Sequence, residues 1–358
     1  MNTLNTYGWD DRRAAEWTGL AMSGYIPARV VADHGGQYRV ACPDEIAAQL
    51  AGSLMHKLKA IDMPKIGDWV AIERTDDQPA IIQSVLTRRS EIVRGHVGRL
   101  IDKQVIAANI DLAFIVQPLD HDFSPTRLER YIFQLSAQNI DVVILLNKAD
   151  KALDAADKQI EIKDLKAESI VMSALNDTDL SRVESFIQPG QTIVVMGSSG
   201  AGKSTLINKL LGEERQKTQS VRERDSKGRH TTVHRELFVL PNGGLIIDTP
   251  GIRELQLWGD YADLEVLFPE IFDAIRHCHY PNCQHDTESQ CAVKAGFADG
   301  TIDPVRFRIY TNFKQELDGL EKRRGYIAER KSAQSKESFK RRRLRDLRHS
   351  AAVEMDDE

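Results

Sequence analysis

A glycine-rich segment near the middle of the chain has the residue types and spacing that bind phosphate. Residues 197–204 read GSSGAGKS and match the pattern G-x-x-x-x-G-K-[ST]. Glycines in such a loop let successive backbone N–H groups point inward at phosphate oxygens. Lys203 would place its ammonium on the β- and γ-phosphates, Ser204 would offer its hydroxyl to Mg²⁺, and the helix after the loop would present its positive end to the anion. The predicted nucleotide contacts are Gly197, Ser198, Ser199, Gly200, Ala201, Gly202, Lys203, Ser204 and Thr205.

The motif that would select the base lies earlier in the chain. Residues 147–150 read NKAD and come directly after the apolar run 142–146, at the end of a strand where open α/β sheets bind ligands. The carboxylate of Asp150 only accepts hydrogen bonds, so it can take N1–H and N2–H of guanine, whereas adenine would leave it unpaired. Lys148 would lay its stem over the ring, and Asn147 would either reach the Hoogsteen side of the base or brace the phosphate loop. Beside that loop, the motif predicts GTP or GDP as the ligand.

Shorter signals would complete a guanine-nucleotide site. Ser173 and Ala174 come after the next apolar strand, where a backbone N–H can meet O6 of guanine. Asp248 ends the apolar run 245–247 and would hold Mg²⁺ through water, while the N–H of Gly251 would sense the γ-phosphate. The alternative for Asp248 is an ordinary turn or helix-capping role.

The polar stretch after the phosphate loop predicts a switch segment. Residues 228–232 read GRHTT, and a threonine hydroxyl there would complete the Mg²⁺ shell when a γ-phosphate is present. Thr231 is preferred to Thr232, although the pattern does not decide between them. Many GTPases place a water-positioning glutamine close to the D-x-x-G motif, where this chain has Ile252, which cannot orient water. His230 is the candidate for that task, with a plain surface histidine as the alternative. The predicted catalytic residues are His230, Lys203 and Thr231.

The order of these motifs is unusual. Ordinary small GTPases begin with the phosphate loop and end with N-K-x-D and S-A, whereas here the last two come first. The same sheet forms if the chain is re-cut in a surface loop, where new termini are tolerated. The sequence therefore predicts a circularly permuted P-loop GTPase domain. Any module placed after the D-T-P-G motif is tied directly to the segment that senses the γ-phosphate.

A cluster of metal-ligand residues with the spacing C-x₄-C-x-H-x₅-C lies beyond that motif. Three thiolates and one imidazole suit tetrahedral Zn²⁺, and a full protein shell leaves no open position, so a structural site is expected. The alternative is that these three cysteines and the histidine bind no metal and are ordinary unpaired residues of the core. The spacing differs from that of a DNA-reading finger, and the fourth cysteine, Cys42, is expected to be plain core. The predicted zinc ligands are Cys278, Cys283, His285 and Cys291, and the predicted Mg²⁺ ligands are Ser204, Thr231 and Asp248.

The elements that must position these residues indicate a multidomain fold. Short β-like runs separated by turn signals predict an N-terminal OB-like β-barrel. Apolar strands that alternate with helices then predict a central α/β domain, which carries the GTPase motifs. Helices and the cysteine cluster form a C-terminal zinc-binding module. The predicted segments are 1–23, a loose N-terminal arm; 24–95, the barrel; 96–255, the permuted GTPase domain; 256–320, the zinc-binding domain; and 321–358, a basic tail.

Composition narrows the functional classes. The net charge of −5 excludes a generally basic nucleic-acid binder, but residues 321–349 alone carry twelve Lys or Arg against four acids. No run is long and apolar enough to span a bilayer, and the first seventeen residues have no apolar signal core, so no membrane association is expected. The cysteines are grouped like metal ligands rather than like disulfide partners, which favours a reducing compartment, so we expect a cytoplasmic protein. We also expect the protein to be a monomer.

The combination of barrel, permuted GTPase and C-x₄-C-x-H-x₅-C module resembles the RsgA (YjeQ) ribosome-biogenesis GTPases. The resemblance covers residues 24–320 and includes the segments 65–70, KIGDWV, and 88–94, RRSEIVR. It implies a bacterial GTPase that binds the 30S ribosomal subunit and its 16S rRNA, assists late 30S maturation and is stimulated by the subunit. The switch histidine that the family is proposed to use in hydrolysis falls on His230. Unlike many family members, this chain carries its basic arm at the C-terminus.

The sequence gives weaker evidence for contacts with rRNA than for contacts with GTP. OB-like barrels often bind oligonucleotides, and Trp69, Arg88, Arg89 and Arg94 could stack on bases or contact phosphates. Trp69 is equally suited to the barrel core. The run 340–343, KRRR, could neutralise phosphates or remain a solvated tail. Two functional alternatives stay open: a module in which GTP only holds one conformation, and a permuted GTPase that assembles the large subunit, against which the zinc module argues.

Overall fold

The computed structural model describes residues 3–20, 24–74, 79–95, 103–165, 167–212, 235–248, 264–265, 268–315, 317–319 and 322. The chain divides into two compact units. One consists of Met1–Gly95 and Lys103–Trp258, and the other of His96–Asp102 and Gly259–Glu358.

Five short strands close a barrel in the first unit, in the order β1-β2-β3-β5-β4 with β4 pairing back onto β1. Neighbours are antiparallel except for the parallel pair β3–β5, and a short helix, α2 (Gly52–Lys57), lies between β3 and β4 in sequence. This is the Greek-key barrel of an OB fold, as the sequence predicts. The strands are β1 (Ile26–Asp33), β2 (Gln37–Ala41), β3 (Glu45–Leu50), β4 (Trp69–Glu73) and β5 (Ala80–Val85).

A two-stranded antiparallel sheet and then a mostly parallel sheet come after the barrel. The two-stranded sheet pairs β6 (Glu91–Gly95) with β7 (Lys103–Ala108). The larger sheet has the order β10-β9-β8-β11-β13-β12, and every neighbouring pair is parallel except β12–β13. Its strands are β8 (Leu112–Pro118), β9 (Asp141–Asn147), β10 (Glu168–Val171), β11 (Thr192–Met196), β12 (Arg235–Val239) and β13 (Leu245–Asp248).

The sheet carries one apolar core on each face because successive strand residues point to opposite sides. Ile115 and Val194 belong to one core, whereas their neighbours Phe114 and Val195 belong to the other. All seven residues of β8 and all five of β11 are buried, as continuous apolar runs predict for central parallel strands. The helices of this domain are α3 (Pro125–Ser136), α4 (Ala155–Glu161), α5 (Asp177–Glu184) and α6 (Lys203–Leu211).

The barrel and the GTPase-type sheet share hydrogen bonds along one edge. Strand β12 pairs antiparallel with β1, with Glu236 opposite Ala32 and Arg235 opposite Asp33. The side chain of Arg39, on β2, adds ion pairs of 3.4 Å to Glu236 and 2.7 Å to Glu45. Eleven strands therefore form one continuous sheet of which the barrel is the curled end.

The N-terminal segment packs against this body, so the prediction of a loose arm is wrong for residues 3–20. A 3-10 helix (Thr3–Tyr7) precedes α1 (Asp11–Gly19). Arg13 is buried and donates from Nη1 to the carbonyl of Thr87 at 2.7 Å and from Nη2 to Oδ1 of Asn109 at 2.5 Å. Its contacts go to isolated polar groups rather than to an apolar stripe, so no periodicity in the sequence announces them.

The second unit contains helices and an aromatic core. Its helices are α7 (Pro269–Arg276), α8 (Ala292–Asp299) and the helical residues 304–315. Tyr310 and Phe313 are buried against Phe268, with ring centroids 5.8 and 6.4 Å away, as the apolar spacing of this stretch predicts. Within the described residues, no helix combines the length and apolar character needed to cross a bilayer. The basic run 340–343 lies outside the described residues.

Candidate nucleotide site and candidate metal centre

The glycine-rich loop joins β11 to α6 at the carboxyl end of the parallel strands, the edge at which open α/β sheets bind ligands. Gly197 has φ +136°, and a Cβ there would overlap the carbonyl oxygen of Val116 on the neighbouring strand. Gly202 has φ +104°, and a Cβ there would overlap Nδ2 of Asn147. Both defining glycines of the motif are therefore required by backbone conformation and by space.

Helix α6 begins directly after Gly202 and ends at Leu211, and its C-cap residue Gly212 has φ +71°. The ammonium of Lys203 donates to the carbonyl of Gly197 at 2.9 Å and to that of Ser198 at 2.5 Å, so it lies across the loop. Ser204 and Thr205 occupy the first turn and are partly exposed. The first N–H groups of a helix have no partner within the helix, and together with the helix dipole and the lysine charge they make this corner attractive to a polyphosphate.

Asn147 connects three loops of the site. Its Nδ2 donates to the carbonyl of Ala201 in the phosphate loop at 2.7 Å, and its Oδ1 accepts from the N–H of Ala174 at 2.8 Å. All three residues are buried. Of the two roles that the sequence leaves open for Asn147, bracing the phosphate loop is the one that these contacts make.

The candidate base-binding groups are held by their own hydrogen bonds. The hydroxyl of Ser173 donates to Oδ1 of Asp150 at 2.8 Å, and the N–H of Ser173 donates to Oδ2 of Asp179 at 2.9 Å. Lys148 has φ +68°, and its ammonium donates to Oδ2 of Asp120 at 2.8 Å. The loop after β9 and the loop after β10 are thus fixed to one another before any ligand contact is made.

The sheet order brings the two halves of the predicted site to one edge. Strands β9 and β11 flank β8, so the NKAD loop and the glycine-rich loop start two strand spacings apart, or about 10 Å. That separation suits a ligand with a base at one end and phosphates at the other. The individual nucleotide contacts of these residues stay predictions.

Asp248 is the last residue of β13, the strand that lies parallel to β11 on its other side. Ile247 pairs with Val194, so Asp248 is level with Val195, two residues before the phosphate loop begins. This placement is the one expected for a group that reaches Mg²⁺ near the β- and γ-phosphates. The other predicted switch residues, His230, Thr231 and Gly251, lie outside the described residues, as does Thr232.

Four potential ligand atoms cluster in the second unit, all within 4.8 Å of one another. Nδ1 of His285 lies 3.6 Å from Sγ of Cys278 and 3.5 Å from Sγ of Cys291, and the two sulfurs are 4.0 Å apart. A tetrahedron with Zn–S of about 2.3 Å and Zn–N of about 2.0 Å requires S–N edges of about 3.5 Å and S–S edges of about 3.8 Å. The cluster, which Cys283 completes, therefore has the donor set and the size that Zn²⁺ needs.

The surrounding backbone shapes this cluster. His285 adopts φ +63°, and the carboxylate of Glu288 accepts from the N–H of Gln284 at 2.7 Å and from that of Asp286 at 3.0 Å, fixing the loop on both sides of the histidine. Burial lowers the pKa of His285, which favours the neutral imidazole that a metal requires. Cys291 is the N-cap residue of α8 and is buried.

The structure shows the surroundings of three residues that the sequence offers for RNA contact, Trp69, Arg88 and Arg89, and of Cys42, which is predicted to lie in the core. Trp69 is buried against Trp9, with centroids 4.8 Å apart, so it belongs to the core and presents no face for a base. Arg88 donates to Asp68 at 2.9 Å and Arg89 to Asp10 at 2.5 Å, so both guanidinium groups already have carboxylate partners. Cys42 is buried, as predicted.

Sequence reasoning missed one charged group at the nucleotide edge, Asp120. It lies just after β8, the strand between the two motif-bearing strands, and it contacts Lys148. Its position could have been inferred, because a polar residue just beyond a buried parallel strand reaches the same edge as the motifs do.

Comparison with protein families connects this geometry to known proteins. Residues 85–258 match the model of the RsgA GTPase family. The small ribosomal subunit biogenesis GTPase RsgA of Opitutus terrae is 39% identical over 328 residues, which cover 88% of this chain and 89% of that protein. The protein of the same name from Leptospira interrogans is 40% identical over 320 residues, covering 88% of each chain.

Comparison with solved structures supports the fold. The crystal structure of YjeQ from Thermotoga maritima aligns with a TM-score of 0.62 at 23% identity, covering 82% of this chain and 99% of that one. The structure of YloQ, described as a circularly permuted GTPase, aligns with a TM-score of 0.59 at 22% identity and covers 83% of this chain and 96% of that one. The architecture of barrel and permuted GTPase domain is therefore shared with solved proteins.

Proposed function

Because the chain belongs to the RsgA GTPase family, whose members are GTP hydrolases, we propose that it hydrolyses GTP to GDP and phosphate in order to assist late maturation of the 30S ribosomal subunit. Binding to the subunit stimulates the hydrolysis. The observation that carries the proposal is the bridge made by Asn147, which joins the glycine-rich loop to the loop of Ala174 although the chain visits these loops in permuted order.

The chemistry divides among groups at the sheet edge. Asp150 pairs with the guanine edge, Lys203 neutralises the β- and γ-phosphates, and the N–H groups of the loop hold the phosphate oxygens. Ser204 and Asp248 would hold Mg²⁺, and the bound ion would offset the negative charge of the phosphates. Thr231 would complete the shell of that ion, and His230 would orient the attacking water.

The Cys₃His cluster holds one structural Zn²⁺. The S–N and S–S separations of the cluster support this ion, and four protein ligands leave no position for a substrate. The proposed setting is the bacterial cytoplasm, and the partners are the 30S subunit and its 16S rRNA, in keeping with the names of the curated relatives.

Single-turnover hydrolysis of GTP, measured with and without purified 30S subunits, tests the proposal. We expect the rate constant to rise at least tenfold with 30S and to stay near its basal value with 50S. Lys203→Ala should abolish turnover, and Asp150→Asn should remove the preference for GTP over ATP. His230→Ala should lower kcat more than it lowers nucleotide affinity.

Three outcomes would contradict parts of the proposal. Equal hydrolysis with and without 30S, despite co-sedimentation with it, would favour a module in which GTP only holds one conformation. Stimulation by 50S alone would make the chain a large-subunit factor. An unchanged preference for GTP in Asp150→Asn would remove the base-recognition argument.

A further inference from the structure

The loop between β8 and α3 contains a charged contact to the nucleotide edge that the proposed mechanism does not use. Asp120 lies two residues beyond the end of β8, and its Oδ2 accepts from the ammonium of Lys148 at 2.8 Å. Lys148 belongs to the motif that would bind guanine. Its backbone is in the left-handed region, with φ +68°, so the direction of the side chain is fixed where it leaves the main chain.

Asp120 is itself held by its own loop. Its Oδ1 accepts from the N–H of Asp122 at 3.0 Å, and its carbonyl accepts from the N–H of Phe123 at 3.0 Å. One carboxylate oxygen is therefore used to fix the turn, while the other faces Lys148. Partial burial alone would raise the pKa of Asp120, yet the hydrogen bonds from Lys148 and the Asp122 N–H lower it below its ordinary value, so the group is charged at neutral pH.

The loop is also tied to the strand of the base-binding motif. The N–H of Leu119 donates to the carbonyl of Asn147 at 2.9 Å, and Pro118 is the register partner of Asn147. Lys158 of α4 donates to the carbonyl of Leu119 at 3.4 Å from the other side. Asp120 thus holds the ammonium of Lys148 from a fixed point, so both ends of the four-carbon stem are held.

We propose that Asp120 is a positioning residue for guanine binding: it draws the ammonium of Lys148 to one side so that the aliphatic stem lies flat over the face of the base. The inference rests on the proposed binding of GTP and GDP. A flexible lysine stem covers an apolar surface while its charged end remains solvated or paired, and fixing it in advance reduces the entropy lost on binding.

The test is the affinity for a fluorescent GDP derivative, measured at physiological ionic strength for Asp120→Asn in the full-length protein. Loss of a partly exposed ion pair of this type corresponds to about two- to fivefold in an equilibrium constant. We expect Kd for GDP to rise by that factor, KM for GTP to rise in parallel, and kcat at saturating GTP to stay unchanged. Lys148→Ala should weaken GDP binding further, and adding Asp120→Asn to it should change Kd by less than about 1.5-fold.

A simple charge effect predicts the opposite sign. Removing a negative charge near a bound polyphosphate should tighten binding, so weaker binding by Asp120→Asn separates positioning from electrostatics. The matched control is Asp33→Asn in the barrel, which removes a comparable lysine pair, 3.3 Å to Lys65, and should leave the affinity for GDP essentially unchanged.

Tighter or unchanged GDP binding by Asp120→Asn would overturn the inference, as would an equal loss in the wild-type and Lys148→Ala backgrounds. Failure of the wild-type protein to bind GDP would instead refute the proposed function. The two failures are distinguishable because the second is seen without any substitution.

Discussion

Replacing Asn147 with alanine distinguishes the two roles that its position allows. The side chain makes two buried hydrogen bonds, to the carbonyl of Ala201 and from the N–H of Ala174. Both partners are almost fully buried, at 0% and 5% exposure, so the substitution would leave a carbonyl and an N–H without a partner.

The expected cost comes from those two groups. A buried polar group left unsatisfied costs about 1–3 kcal/mol, so the pair should reduce the free energy of unfolding by about 2–4 kcal/mol after partial relaxation. For a folding unit of this size, such a loss corresponds to a fall in Tm of roughly 5–15 °C. The loss should be present in the nucleotide-free protein, because both hydrogen bonds join protein groups.

The assay is thermal and urea unfolding of nucleotide-free and GDP-saturated protein. If Asn147 braces the loops, Asn147→Ala should destabilise the nucleotide-free protein by about 2–4 kcal/mol and also weaken GDP binding. Leu175→Ala is the matched control, because this neighbour of Ala174 is 70% exposed and its loss should cost less than about 0.5 kcal/mol.

One result would refute the reasoning. If Asn147→Ala left the nucleotide-free protein as stable as the control and reduced only the stabilisation gained from GDP, the side chain would act through the base and not as a brace.

Three further perturbations have definite expected outcomes. Gly202→Ala forces a Cβ into Nδ2 of Asn147 at φ +104°, so GDP binding should fall at least tenfold by fluorescence titration; unchanged affinity would contradict the close packing. Cys283→Ser should release about one zinc per chain, measured by metal analysis of the purified protein, and a metal-free wild type would rule the site out. The hydrogen bond from Arg89 holds the pKa of Asp10 at about 2, below the ordinary value for an aspartate, so this pair stabilises the fold above about pH 4 and the contribution is lost as pH falls toward 2. Asp10→Asn should therefore flatten acid unfolding between those values, and an unaltered acid transition would show that the pair contributes nothing.

Strand periodicity and motif order predicted most of the first unit. The apolar runs 142–146 and 245–247 predict β9 and β13, because strands buried on both faces are apolar without the alternation of a half-exposed strand. The motifs also predict that the strands before N-K-x-D and before the glycine-rich loop end at the same edge of the sheet, since the two loops must share a ligand.

Contacts that depend on a single side chain could not be predicted in the same way. Arg29 is buried at the junction of barrel and GTPase-type sheet, where it donates to the carbonyl of Tyr7 at 2.6 Å and to Oγ1 of Thr192 at 2.9 Å. These partners are 22 and 163 residues away in the sequence, and no local pattern relates them. For the same reason, the sequence did not predict the contacts of Arg13 or the contact between Asp120 and Lys148.

The pairing of β12 with β1 determines how this protein can be divided. A fragment that begins after the barrel, at residue 96, would keep β12 but lose its partner on one side, leaving N–H and C=O groups of Glu236 and Arg235 at an open sheet border. Such borders recruit strands from other molecules and promote aggregation. Preparations intended to isolate the GTPase-type domain should therefore retain the whole barrel, because β1 itself pairs with β2 and β4 and would present a new open edge without them.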